Sequence, residues 1–123
     1  MKFYCHPTCT TCKKAQKWLD ERSIAYEWIN LKETSLSKEE WTELLEKTDR
    51  PIKQFFNTSG QVYREMNLKE RVPNLTIQEA ADFLSQNGML VKRPLAFDQH
   101  NLTVGFKEAE YETVWEKEKE SQK

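Results

Sequence analysis

Lys2-Phe3-Tyr4-Cys5-His6-Pro7-Thr8-Cys9-Thr10-Thr11-Cys12-Lys13-Lys14-Ala15 is the stretch from which the rest of the chain is read. Residues 2–5 have the apolar, aromatic character of a short strand, which His6-Pro7-Thr8 interrupts. From Cys9 to about Arg22 the pattern becomes helical. Ala15, Trp18 and Leu19 form one stripe, while Lys13, Lys14, Lys17, Asp20 and Glu21 can face water. Thr8 or Thr10 is the expected cap of that helix. Ile24 to Leu31, aromatic and β-branched, reads as a second strand. Strand, helix and strand in this order predict a parallel βαβ unit.

Downstream, Ser37 and Glu40 spell a capping box that opens a helix through Trp41, Leu44 and Leu45 to about Thr48. Arg50-Pro51 breaks it, Ile52 to Phe56 is short and apolar, and Asn57-Thr58-Ser59-Gly60 is a polar turn. Val62 to Leu68 reads as a short helix. Thr76 and Glu79 repeat the capping box, ahead of a helix carrying Ile77, Ala80, Ala81, Phe83 and Leu84, with Gly88 as its C′ residue. Leu90 to Phe97 leads into a strand, Asp98-Gln99-His100-Asn101 is a hairpin turn, and Leu102 to Phe106 returns. Ala109, Val114 and Trp115 mark a final helix that fades into a charged, solvated end from Glu116 to Glu120. The whole predicts an α/β domain spanning residues 1–123, with a mixed β-sheet and a helical insertion at about 37–87.

Composition sets the boundaries of function. A chain of 123 residues is the size of one domain, at roughly 100–200 residues each. Its 19 Lys+Arg and 20 Asp+Glu leave a net charge of −1, so no broad positive field exists to recruit nucleic acid or an anionic membrane. No apolar run approaches the ~20 residues of a membrane span. The N-terminus runs straight into a strand pattern without an apolar signal region, which makes the cytoplasm the expected location.

Three cysteines, at 5, 9 and 12, lie within the first tenth of the chain. An odd, crowded set is a poor disulfide scaffold and a better redox or metal cluster. Cys9-Thr10-Thr11-Cys12 places a C-x-x-C where a strand gives way to a helix. The first amides of a helix have no intrahelical partner and carry partial positive charge. A thiol held there gives up its proton more readily, and the thiolate is the nucleophile. Lys13, Lys14 and Lys17 add charge of the same sign. Cys9 is thus the candidate nucleophile. Cys12, about one turn on, is the candidate resolving thiol, expected to form a Cys9–Cys12 disulfide. Cys5 reads either as buried under the loop, the preferred reading, or as a second resolving thiol. The bland alternative for all three is structural burial as small hydrophobes. Cys5-x3-Cys9-x2-Cys12 is also the spacing of radical-SAM iron–sulfur ligands, but one small domain has no room for the partial barrel such enzymes need. A zinc site would need His6 or the distant His100 as its fourth ligand. No metal is expected.

The segment from Tyr4 to Ala15, with Trp18-Leu19 following, resembles the arsenate reductase family of thioredoxin-like proteins. Gly88-Met89-Leu90-Val91-Lys92-Arg93-Pro94-Leu95, followed by Leu102, Val104, Gly105 and Phe106, matches the same family's second signature. Phe55 to Gly60 and Tyr63 to Asn67 resemble the branch between the reductases and the regulator Spx. The resemblance spans essentially the whole chain. It implies a thioredoxin-like sheet with an inserted helical segment and a cis peptide before Pro94 beside the nucleophile. It also implies a thiol oxidoreductase in which Cys9 attacks an oxyanion or a disulfide. Cys12 resolves the adduct, while Arg93, with its planar fork, and the backbone of Thr10 and Thr11, beside Pro94, hold the substrate. No bound cofactor is implied, with glutathione, glutaredoxin or thioredoxin as reductant. The partner is then a small oxyanion or a thiol-redox protein. Of the three arginines that hold the oxyanion in the reductases, one has a counterpart here, Arg93; the other positions fall near Asn57-Thr58 and Gly105. Arg64 reads as a surface or salt-bridged residue, with spatial substitution for a missing arginine as the alternative. Likeness to Spx implies the alternative, a redox-switch regulator that binds the C-terminal domain of the RNA polymerase α-subunit. Arg50-Pro51 stands where Spx has its contact glycine.

Overall fold

The computed structural model describes residues 1–34 and 36–116. Of the charged end expected over Glu116 to Glu120, Glu116 is instead half-buried and paired with Arg22 Nε at 3.2 Å, and the rest lies outside the described residues. The chain folds into two compact units, one made of Met1–Asn30 and Arg93–Lys123 and the other of Leu31–Lys92.

The first unit is built on a four-stranded mixed sheet in the order β2-β1-β3-β4. Its strands are β1 (Lys2–Cys5), β2 (Glu27–Asn30), β3 (Leu95–Phe97) and β4 (Leu102–Val104). β1 and β2 are parallel, with Phe3 opposite Trp28, and helix α1 (Thr10–Glu21) connects them, which is the expected βαβ unit. β3 and β4 are antiparallel to their neighbours. Their hairpin turn is held by Asp98, whose Oδ1 accepts from the amides of His100 and Asn101 at 2.8 and 2.7 Å.

Alternation along β1 divides the side chains between two faces. Phe3 and Cys5 join Cys12, Ala15, Trp18 and Leu19 of α1 in one apolar cluster, together with Ala96, Tyr111 and Trp115. Tyr4 points the other way and stacks on Phe97, with ring centroids 5.6 Å apart. The cluster is closed by the last helix, α6 (Glu108–Tyr111), and the wider π-helical turn Glu112–Glu116. Trp18 and Phe106 both meet the Tyr111 ring edge-on, at 5.4 and 4.8 Å. Trp115 donates its indole N–H to the buried Thr103 hydroxyl at 3.0 Å. The residue that anchors this helix is the buried Tyr111, while Ala109 is exposed.

The second unit contains helices α2 (Lys38–Lys47), α3 (Gln61–Glu65), α4 (Leu68–Arg71) and α5 (Ile77–Gln86). Both capping boxes form as expected. Ser37 accepts from the Glu40 amide and Thr76 from the Glu79 amide, each at 3.1 Å, and each glutamate reaches back to the cap amide. The short helix expected over Val62 to Leu68 is broken at Asn67, which takes a left-handed φ of 54° between α3 and α4. Ala80, Ala81 and Leu84 of α5 are buried, whereas Phe83 is only half-buried, with the Arg71 guanidinium 5.0 Å from its ring. The unit extends beyond the expected insertion limits because its ends are tied into it. Phe56 bridges Val91, and the amides of Asn57 and Lys92 donate to the carbonyls of Leu90 and Phe55 at 2.7 and 2.9 Å. Among the described residues, no helix is long and apolar enough to cross a membrane.

Candidate functional site

Cys9 is the N-cap of α1. Its backbone is extended (φ −77°, ψ 115°), and its carbonyl accepts the first helical hydrogen bond from the Lys13 amide at 3.2 Å. The expected threonine caps are not used: Thr8 lies before the cap and Thr10 is already the first helical residue. The Cys9 side chain makes no capping hydrogen bond, so the amides of Thr10, Thr11 and Cys12 form a first turn without an intrahelical acceptor. The tight loop ahead of it is local in origin. The Cys9 amide donates to the His6 carbonyl at 3.1 Å, and His6 Nδ1 accepts from the Thr8 amide at 3.2 Å. His6 thereby shapes the loop that delivers Cys9.

The three sulfurs divide into a pair and a single. Cys5 and Cys12 are joined as a disulfide with Cα atoms 6.0 Å apart, and Cys9 is a free thiol, half-buried. The disulfide expected between Cys9 and Cys12 is therefore not the one present. The reason lies in helix and strand geometry. Cys12, Ala15 and Leu19 stand at i, i+3 and i+7 and face the sheet, and Cys5 stands on the same face of β1 as Phe3. Cys5 is 0% and Cys12 1% exposed, so their sulfurs meet inside the core. The same two periodicities are readable in the sequence; carrying the α1 stripe one turn back to Cys12 is the step that finds the pair. Among the described residues, no group of three His, Cys, Asp or Glu side chains is placed to hold a metal ion.

The Arg93–Pro94 peptide is cis, as the resemblance implies. The β1–β3 register pairs Tyr4 with Leu95, so one step further along it Cys5 stands opposite Pro94. The N-terminus of α1, the C-terminal end of β1 and the Arg93-Pro94 turn are thus brought to one end of the sheet. Parallel α/β units commonly bind ligands at that end. The Pro94 carbonyl is taken by the Gly105 amide at 2.9 Å, and Gly105 has a φ of 78°, a conformation suited to glycine. Arg93 is half-buried, while Thr10 and Thr11 are exposed at the helix start. Asn57-Thr58, where the resemblance puts a second oxyanion arginine, forms a turn of the other unit, and Arg64 is an exposed residue of α3. Lys13, Lys14 and Lys17 are exposed, and Lys17 faces Glu21 at 3.9 Å.

The model of the ArsC family matches residues 4–114. The uncharacterized protein YusI of Bacillus subtilis is 46% identical over 115 residues, covering 94% of this chain and 98% of YusI. The global transcriptional regulator Spx of Listeria monocytogenes is 31% identical over 107 residues, covering 87% of this chain and 80% of Spx. The crystal structure described as "a possible arsenate reductase" from Streptococcus mutans superposes with a TM-score of 0.82 at 36% identity, covering 86% of this chain and 90% of that one.

Proposed function

Because the chain belongs to the ArsC family and has its thioredoxin-like fold, we infer that it is a thiol-dependent oxidoreductase with Cys9 as its nucleophile. The observation that carries this reading is the division of the thiols: Cys9 is free and partly accessible at a helix start, while Cys5 and Cys12 are core residues. With the Cys5–Cys12 pair reduced, the Cys9 thiolate attacks one sulfur of a disulfide substrate and expels the other as a thiolate. Cys12 then attacks the Cys9 sulfur and releases the second thiolate, leaving Cys9–Cys12 oxidised by two electrons. For an oxyanion substrate, Cys9 attacks the central atom and one protonated oxygen leaves as water; Cys12 then attacks the Cys9 sulfur, closing Cys9–Cys12 and releasing the oxyanion reduced by two electrons. Arg93 and the amides of Thr10 to Cys12 supply the positive side of the site. Glutathione, glutaredoxin or thioredoxin returns the electrons.

The test is reduction of arsenate and of a small disulfide, with glutathione and glutaredoxin or with thioredoxin. Turnover by the wild type that disappears in Cys9→Ser supports the reading; no reduction of either substrate by the wild type contradicts it.

A regulatory reading rests on the likeness to Spx: a redox change at the cysteines alters binding to the C-terminal domain of the RNA polymerase α-subunit. It ranks second because Arg50-Pro51 stands where Spx has its contact glycine, and proline has no N–H to donate. Capture of that domain by the reduced but not the oxidised protein, or the reverse, would favour it. No binding in either state would remove it.

A further inference from the structure

We propose that Cys9 is the port through which electrons enter and leave a buried Cys5–Cys12 pair, so that Cys5, not Cys9, ends the oxidative sequence bonded to Cys12. This rests on Cys9 being the nucleophile, as inferred above, and adds a third step to that chemistry.

Three observations point to it. The disulfide present joins Cys5 to Cys12 and leaves Cys9 as a thiol. Both bonded residues are essentially without solvent contact, among Phe3, Ala15, Trp18, Leu19 and Ala96. An external thiol therefore has no direct approach to that bond. Cys9 and Cys12 occupy the N-cap and N3 positions of α1. Cys9 packs against the apolar cluster that contains Cys5 and Cys12. Cys12 is thus both the residue bonded to Cys5 and the residue one helical turn from Cys9.

The sequence of exchanges balances with a disulfide oxidant, here oxidised glutathione. The Cys9 thiolate takes one glutathione sulfur and releases glutathione thiolate. Cys12 attacks Cys9 and releases the second. Cys5 then attacks Cys12, forming the Cys5–Cys12 bond and expelling the Cys9 thiolate. Two protons leave the Cys5 and Cys12 thiols, and two electrons pass from that pair to glutathione. The final exchange moves the ionised sulfur from an apolar core, where an unpaired charge is costly, to the accessible helix start. Reduction runs the same steps backward, beginning with Cys9.

Disulfide mapping after acid quench tests this with the full chain and oxidised glutathione. Wild type is expected to end with Cys5–Cys12 and a free Cys9, Cys5→Ala with Cys9–Cys12, and Cys12→Ala with glutathione on Cys9. Reduction of the Cys5–Cys12 bond by glutathione should be about tenfold or more slower in native Cys9→Ser than in wild type. The two rates should be equal in concentrated urea, where burial no longer protects the bond. Equal native rates, or a wild type that ends with Cys9–Cys12 and a free Cys5, would overturn the port while leaving Cys9 as nucleophile. Failure of Cys9 to take up glutathione in Cys12→Ala would overturn both. Because Cys9 lies outside the core pair, Cys9→Ser does not depend on repacking the interior.

Discussion

A β-carbon at position 88 would run into the carbonyl oxygen of Leu31. Gly88 directly follows the C-cap Asn87 of α5, the C′ place expected of it, and it is close backbone approach rather than positive φ that requires glycine there. Gly88→Ala should lower stability by about 1–3 kcal/mol, measured as a shift in urea midpoint, because backbone cannot yield as a side chain can. Tyr111 is a second case in which surroundings set the chemistry. Burial, supported by the negative charge of Glu110 and opposed by the Thr103 hydroxyl, pushes its phenol far above the ordinary range. The folded protein then keeps a proton that the unfolded chain releases above about pH 10. Stability from this group is complete below that pH and lost as pH rises above it. Tyr111→Phe should therefore flatten the alkaline fall in stability, compared with wild type by urea titration across that range. Neither effect is legible in the sequence, since both depend on what a distant segment places against the residue.

Among the elements, α1 shows a conflict between stability and chemistry. An N-cap normally offers an oxygen to the first-turn amides, and the N-caps of α2 and α5 do so. Cys9 does not. Cys9→Ser should accordingly keep or raise thermal stability, by about 0.5–1 kcal/mol, while abolishing thiol chemistry. Ser37→Ala and Thr76→Ala should each cost about 1 kcal/mol, because each removes one half of a formed box. These boxes are readable from spacing alone because their interactions are local. The helix start at Cys9 is readable too, but the general preference for hydroxyl caps points to a neighbouring threonine instead. The cysteine pairing is harder to read because it joins a strand face to a helix face. Each face has its own visible period, yet only their docking brings Cys5 to Cys12.

Across the molecule, the parallel βαβ unit, the antiparallel hairpin and the interruption between β2 and the Arg93-Pro94 turn follow from the succession of patterns along the chain. The limits of the second unit do not, because Phe56–Val91 pairing and the Leu31 contact are non-local. Within the first unit, the covalent link between β1 and α1 spans seven positions of sequence. A short cross-link of this kind contributes about 2–3 kcal/mol by restricting the unfolded chain. Reducing it under denaturing conditions and refolding in reductant should lower the urea midpoint accordingly. One measurement bears on the division of the three sulfurs more directly than any other: brief alkylation of the native, oxidised protein followed by peptide mapping. The expected product carries the alkyl group on Cys9 alone, with the peptides of Cys5 and Cys12 still joined. Label on Cys5 or Cys12, with Cys9 recovered in a disulfide, would contradict it.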